Sequence, residues 1–124
     1  MEFVTNRTEM DTAQGMAKGF YSYEDLNRVE SVVQKLCEMA KSIGIDLKLT
    51  VKTDWGTPED FDAEKWPTEQ QMERYIQNVH AVCAALDLNV HIPTSMRHLT
   101  TYDANSIEIA LQKAHEEIMR RISV

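Results

Sequence analysis

Residues 22–30 read Ser-Tyr-Glu-Asp-Leu-Asn-Arg-Val-Glu, and this stretch predicts the start of a long helix. A serine followed three residues later by an acid forms a capping box, in which the serine oxygen accepts from the third helical N–H group. Apolar residues then recur every three or four positions as far as Ile43, and Gly44 follows as a stop signal. We therefore expect an amphipathic helix that begins at Ser22.

The same start signal occurs twice more along the chain. Thr68 with Gln71, directly after Pro67, predicts a second helix, and Thr100 with Asp103 predicts a third. Each start is followed by apolar residues at helical spacing. The sequence thus predicts a mainly α fold, a small three-helix bundle.

Residues 46–52 alternate between apolar and polar side chains, which predicts a half-buried strand. A strand needs a partner, and the only other candidate is 89–92, which Pro93 ends. We therefore expect a short two-stranded β-ribbon beside the helices. Residues 53–67 are predicted to form a loop that carries both tryptophans.

The length of 124 residues fits a single domain. Residues 1–21 carry weaker signals, and we interpret them as an N-terminal arm that precedes a helical domain over residues 22–124. The apolar residues of this arm are expected to pack on the domain or on another subunit.

The first and third helix starts share a longer pattern, S/T-x-x-D-x-N-x-[VI]-E, repeated 78 residues apart. Capping explains the first residue and its acid, but asparagine is a poor residue inside a helix. We interpret Asn27 and Asn105 as amides that hydrogen-bond a neighbouring backbone, in a pseudo-twofold pairing of the two helices. The alternative is chance similarity added to ordinary capping chemistry.

The acidity of the chain is local. Thirteen Lys and Arg against 20 Asp and Glu give a net charge of −7, which disfavours a nucleic-acid binder. Residues 59–73 alone contain six acids and one base, a net charge of −5. Asp60, Asp62 and Glu64 belong to this stretch, and their spacing does not match a calcium-binding loop. We interpret them as candidates for an interaction surface.

The sequence contains no motif for catalysis, phosphate binding or dinucleotide binding. His80 and Cys83 share a helical face, but Cys83 falls on the apolar stripe, so we expect no zinc site. Cys37 and Cys83 are predicted to be buried thiols. No apolar run reaches the length of a membrane span, and the polar N-terminus lacks the apolar region of a secretory signal. We expect no enzyme activity, no metal, no cofactor and no membrane partner.

Trp55 and Trp66 lie in the predicted loop. Loop tryptophans either cover the core or anchor a partner protein, and the sequence leaves both alternatives open. A weaker alternative is that one of them binds carbohydrate.

Short blocks spread over nearly the whole chain carry a resemblance to a known group of proteins. They are Asn6-Arg7-Thr8, Lys18-Gly19, Tyr23-x-Asp25-Leu26-Asn27-Arg28-Val29-Glu30, Lys52-Thr53-Asp54-Trp55, Pro67-Thr68, Met72-x-Arg74-Tyr75, Asn78-Val79, Leu99-Thr100 and Ala104-Asn105-x-Ile107-Glu108. In these blocks the chain resembles uncharacterised tail-associated structural proteins of phages and prophages of Gram-positive bacteria. Related segments often continue after the last helix, which leaves open whether the chain is a whole protein or a truncated domain.

The resemblance implies a non-enzymatic tail or baseplate component that binds other tail proteins or further copies of itself. It also implies a protein made in the bacterial host cytoplasm and carried in the virion. The alternative is a small acidic phage-encoded regulator or inhibitor that binds a host protein through residues 59–73. The interaction candidates are Trp55, Trp66, Asp60, Asp62, Glu64, Asn27, Arg28 and Asn105.

Overall fold

The computed structural model describes residues 1–8, 23–55, 67–97 and 99–124. These residues form three helices: α1 (Tyr23–Lys41), α2 (Glu69–Ala85) and α3 (Thr101–Ile122). Every pair of these helices is in contact. The prediction of a mainly α three-helix bundle is therefore confirmed for the described part of the chain.

Capping boxes begin α2 and α3, as the sequence predicts. The Thr68 hydroxyl accepts from the Gln71 N–H at 3.1 Å, and the Gln71 side chain accepts from the Thr68 N–H at 2.9 Å. Thr100 and Asp103 make the same two bonds at 3.0 and 3.3 Å. These side chains satisfy N–H groups that a helix start leaves without intrahelical partners. Ser22, the predicted cap of α1, lies outside the described residues.

The chain leaves α1 through Gly44, whose φ of +83° lies in the left-handed region that favours glycine. The Ile45 N–H donates to the Ala40 carbonyl at 2.9 Å, which uses an acceptor that the helix end leaves open. The predicted stop at Gly44 is confirmed. The turn directs the following residues back along the bundle.

The apolar stripes of the three helices meet in one core. Leu36, Ile76 and Leu111 are among its most buried side chains, each at most 1% exposed. Cys83 is buried in this core, whereas Cys37 is only partly buried, and both are free thiols. Burial raises the pKa of the Cys83 thiol to about 11. The prediction of buried thiols thus holds fully for Cys83 and in part for Cys37.

The predicted β-ribbon is wrong, since the described residues contain no strand. Burial does alternate along residues 45–51, so the pattern in the sequence is real. The backbone, however, finds helical side chains instead of a second strand: the Thr50 carbonyl accepts from Arg74 and from Asn78, each at 2.8 Å. Residues 89–92 form no strand either. Alternation reports which side of a segment is buried, and it carries no information about the hydrogen-bond partner.

Residues 1–8 lie against the helices. Phe3 packs on the core, and Arg7 is buried with 4% of its surface exposed. The predicted boundary between arm and domain falls within 9–22, outside the described residues. No described helix has the length and apolar character needed to cross a membrane.

Candidate functional site

A site on α3, called site 1 here, holds residues 4–7 through Asn105 and Glu108. The Asn105 amide pairs with the Arg7 backbone in both directions, because its oxygen accepts from the N–H at 3.0 Å and its nitrogen donates to the carbonyl at 2.9 Å. Glu108 Oε1 accepts from the Val4 N–H at 3.0 Å. Two side chains one helical turn apart therefore bind backbone N–H groups three residues apart.

Four charged side chains complete site 1. The Arg7 guanidinium donates to Glu108 at 2.6 Å and to Asp25 at 3.0 Å. Arg28 from α1 donates to the same two carboxylates, at 2.9 and 2.6 Å. Burial opposes the charge of Arg28, but the hydrogen bonds to Glu108 and Asp25 outweigh it and raise the pKa of Arg28. The described residues of the cluster are two cations and two anions, and this balance of charge favours keeping them inside a protein.

A second site, called site 2, has the same arrangement on α1. Asn27 Oδ1 accepts from the Trp55 N–H at 2.7 Å, and Glu30 Oε1 accepts from the Lys52 N–H at 3.1 Å. The asparagine again binds the last residue of a four-residue segment, here 52–55, and the glutamate binds the first. The prediction that Asn27 and Asn105 bond to a neighbouring backbone is confirmed.

The charges at site 2 differ from those at site 1. Glu30 Oε2 accepts from the Trp55 indole N–H at 2.5 Å, and Arg74 from α2 donates to both carboxylate oxygens at 2.5 and 3.1 Å. The Lys52 ammonium lies 5.1 Å from the centre of the indole ring, within the range of a cation–π contact. Glu30 itself is 1% exposed. Because the indole is neutral, the bidentate contact with Arg74 balances the charge of the Glu30 carboxylate.

The two sites are related in sequence on both of their sides. The helical pairs 27–30 and 105–108 both read Asn-x-x-Glu, at the same distance from their capping residues. The bound segments 4–7 and 52–55 both read x-Thr-[Asn/Asp]-x. From the sequence alone, only the similarity of the helical halves is apparent. A two-residue similarity between the segments becomes meaningful only once the structure places them at equivalent sites.

The predicted pseudo-twofold relation between α1 and α3 is wrong. Arg28 of α1 reaches Glu108 of α3, and Arg74 of α2 reaches Glu30 of α1. Both arginines stand six residues after their capping positions in the sequence. The arginine of α1 thus contacts α3, and the arginine of α2 contacts α1, so the two contacts follow one another around the bundle and do not pair α1 with α3.

A third contact of this kind would join an arginine of α3 to a glutamate of α2, and neither residue is present at the equivalent position. Ser106 stands six residues after Thr100, where an arginine would be needed, and its hydroxyl donates to the Tyr102 carbonyl at 2.8 Å. Ile76 stands eight residues after Thr68, where a glutamate would be needed, and it is buried in the core. Within the described residues, α2 therefore has no equivalent of sites 1 and 2.

The structure places the other predicted interaction residues as follows. Trp55 is 3% exposed, which fits a tryptophan that covers the core, and its ring is not open for a sugar to stack on. Trp66, Asp60, Asp62 and Glu64 lie outside the described residues, so their roles stay predictions. The carbohydrate alternative therefore depends on Trp66.

The side chains considered for zinc make other contacts. His80 Nε2 lies 2.9 Å from the Pro93 carbonyl, and the Cys83 thiol donates to the Ala110 carbonyl at 3.8 Å. In the part of the chain that the structure describes, no group of three His, Cys, Asp or Glu side chains could hold a metal ion.

The short sequence blocks quoted above contain much of sites 1 and 2, including Arg7, residues 25–30, residues 52–55, Arg74 and residues 105–108. These residues bind chain segments to helices. Comparison of the chain with protein-family models, curated proteins and solved structures finds no match.

Proposed function

We propose that this chain is a non-enzymatic structural module of a phage or prophage tail or baseplate. It acts through contacts with neighbouring tail proteins or with further copies of itself in the virion. The observation that supports the proposal is the chemistry of sites 1 and 2. Both bind polypeptide backbone, and both contain the residues in which the chain resembles tail-associated proteins.

The burial of the sites argues for a structural role. Glu30 and Glu108 are each 1% exposed, and each carboxylate already accepts bonds from arginine side chains and backbone N–H groups. A general acid or base must reach a substrate, whereas these carboxylates are engaged inside the chain. Their arrangement stabilises one packing of segments and helices.

The surface of α3 offers apolar area for a protein partner. Tyr102 is 66% exposed and Ile109 is 36% exposed, and their spacing of seven residues places them on one face of the helix. Exposed apolar side chains on a shared face favour contact with another protein.

Light scattering after size-exclusion chromatography, over a range of protein concentrations, tests the proposal. We expect either a mass above the 14.3 kDa of one chain or a complex with the purified product of an adjacent tail gene. Replacing Tyr102 and Ile109 with serine should weaken that contact, and Lys35→Ser at an exposed position of α1 is the matched control.

A strict monomer at every concentration that binds no adjacent tail protein would contradict the proposal. Binding to a basic host protein that is lost at high salt and on neutralising residues 59–73 would favour the regulator alternative instead.

A further inference from the structure

We propose that residues 1–8 exchange between copies of this chain, so that segment 4–7 of one copy occupies site 1 of a second copy. This inference rests on the proposed assembly function and names the contact that would serve it. Exchange of an identical element between protomers is a low-cost route to dimers, because no new interface has to be built.

Site 1 recognises the segment and not its connection to the rest of the chain. The hydrogen bonds described between α3 and segment 4–7 come from the side chains of Asn105 and Glu108. These side chains bind the Val4 N–H, both backbone groups of Arg7 and the Arg7 guanidinium. A segment of the same sequence from a second copy can make each of these bonds unchanged.

The charge of site 1 requires an occupant with a cation. Among the described residues, removal of Arg7 would leave the Asp25 and Glu108 carboxylates facing the guanidinium of Arg28, with a net charge of −1 in a buried place. Such a vacancy is strongly unfavourable. An arginine-bearing segment is therefore held, whichever copy supplies it.

The position of segment 4–7 along the chain allows it to exchange, in contrast to the segment at site 2. Residues 4–7 precede all three helices, so they can leave site 1 while the helices stay packed. Residues 52–55 lie between α1 and α2, and their removal would pull on both helices.

The length of chain between site 1 and α1 is sufficient for exchange. Sixteen residue steps join Arg7 to Tyr23, which span at most about 55 Å. The 19 residues of α1 are about 28 Å long, so the connection can span more than the length of this helix. Segment 4–7 can therefore reach site 1 of a copy that lies beside the bundle.

A mixing experiment with two full-length variants tests the exchange. The first variant, Arg7→Ala, keeps site 1 but has a segment that cannot fill it. The second variant, Asn105→Ala with Glu108→Gln, keeps the segment but has a damaged site. After joint unfolding and refolding, we expect native mass spectrometry to detect a 1:1 heterodimer whose melting temperature exceeds that of either variant alone.

The matched control replaces the first variant with Arg97→Ala. Arg97 pairs with Glu69 on the surface, so this change removes an arginine without emptying site 1. A mixture of Arg7→Ala with the damaged-site variant that contains only the species of each variant alone would overturn the inference.

A second measurement uses the wild-type chain, which does not depend on the folding of a variant. A labelled peptide of residues 1–8 should bind the wild-type chain, and the same peptide with Arg7→Ala should bind at least about tenfold more weakly. Equal binding of the two peptides, or no binding of either, would overturn the inference.

The outcomes separate this inference from the proposed function. Assembly of the wild-type chain without heterodimer or peptide binding would overturn the exchange and leave the tail function standing. Heterodimer formation by a chain that binds a basic host protein through residues 59–73, and no tail protein, would support the exchange and favour the regulator alternative over the tail function.

Discussion

Sites 1 and 2 bind their segments with the same pair of side chains, yet they enclose different occupants. Site 1 takes the Arg7 guanidinium and surrounds it with two carboxylates, whereas site 2 takes the Trp55 indole beside a single carboxylate. The amide and one carboxylate oxygen bind backbone in both places, so they set the position of the segment. The other charged side chains differ between the sites because the bound segments carry different side chains, a guanidinium at site 1 and an indole at site 2. A shared backbone contact can thus accept either a charged or an aromatic occupant when a neighbouring helix balances the charge.

The two sites also differ in the exposure of their arginines. The arginines on the helices are similar, since Arg28 is 19% exposed at site 1 and Arg74 is 24% exposed at site 2, but site 1 also encloses Arg7, whose side chain is 1% exposed. Water can therefore compensate a lost partner more easily at site 2. This difference predicts that the same substitution costs more at site 1.

The largest expected effect comes from replacing the glutamates. Glu108→Gln leaves Asp25 as the one carboxylate beside Arg7 and Arg28 among the described residues, and we expect it to lower the free energy of unfolding by about 3–5 kcal/mol. Glu30→Gln leaves Arg74 partly solvated and should cost about 1–3 kcal/mol. Urea unfolding at neutral pH measures both. Equal losses would show that the charge balance does not distinguish the two sites.

Replacing the asparagines should have a smaller effect. Asn105→Leu removes a pair of hydrogen bonds between the amide and the Arg7 backbone and should cost about 2 kcal/mol. Asn27→Leu should cost about 1–2 kcal/mol, because the N–H of Trp55 loses its acceptor. The same unfolding measurement applies, with Gln112→Leu on α3 as an exposed control. Losses no larger than that of the control would mean that the repeated asparagines do not contribute to stability.

The next substitution changes the occupant of site 2. Trp55→Phe keeps an aromatic ring but removes the indole N–H that Glu30 accepts, so we expect a loss of about 1 kcal/mol. A double-mutant cycle with Glu30→Gln should show a coupling of similar size. Additive losses would indicate that the contact between indole and carboxylate contributes nothing of its own.

The smallest effect is expected at an exposed ion pair, which serves as a reference for both buried sites. Hydrogen bonds from Arg120 and Arg121 lower the pKa of Glu117 to about 2, below its ordinary value of 4.5. Because the folded-state pKa is the lower one, the contribution to stability is present above about pH 4.5 and is lost as the pH falls through about 2.

An NMR titration of the Glu117 carboxylate measures this pKa directly. Glu117→Gln should leave the urea midpoint nearly unchanged at pH 7, since exposed pairs contribute little to stability. A measured pKa near 4.5 would contradict the hydrogen bonds described here.

The helices could be predicted from the sequence because their signals are local. The caps at Thr68 and Thr100 lie within four residues of the groups they bind, and the apolar stripes have a short period. The bonding of Asn27 and Asn105 to backbone could also be inferred, because an asparagine inside a helix needs a reason. Which backbone each amide binds could not be inferred.

The partners of the sites are remote in sequence. Asn105 binds Arg7 across 98 positions, and no pattern within α3 points to residues near the start of the chain. The false β-ribbon has a related cause. The alternation along 45–51 fixes the buried face, but the partners Arg74 and Asn78 belong to another helix and look in the sequence like ordinary polar surface residues.

The sequence separations at the two sites also determine the order in which the sites can form during synthesis. Site 2 joins Asn27 to Trp55 across 28 positions, whereas site 1 joins Arg7 to Asn105 across 98. During synthesis at about 5–20 residues per second, Arg7 waits about 5–20 seconds for Asn105, several times longer than Asn27 waits for Trp55. The segment made before the helices is thus the last to be bound, and this interval gives a neighbouring copy time to compete for it.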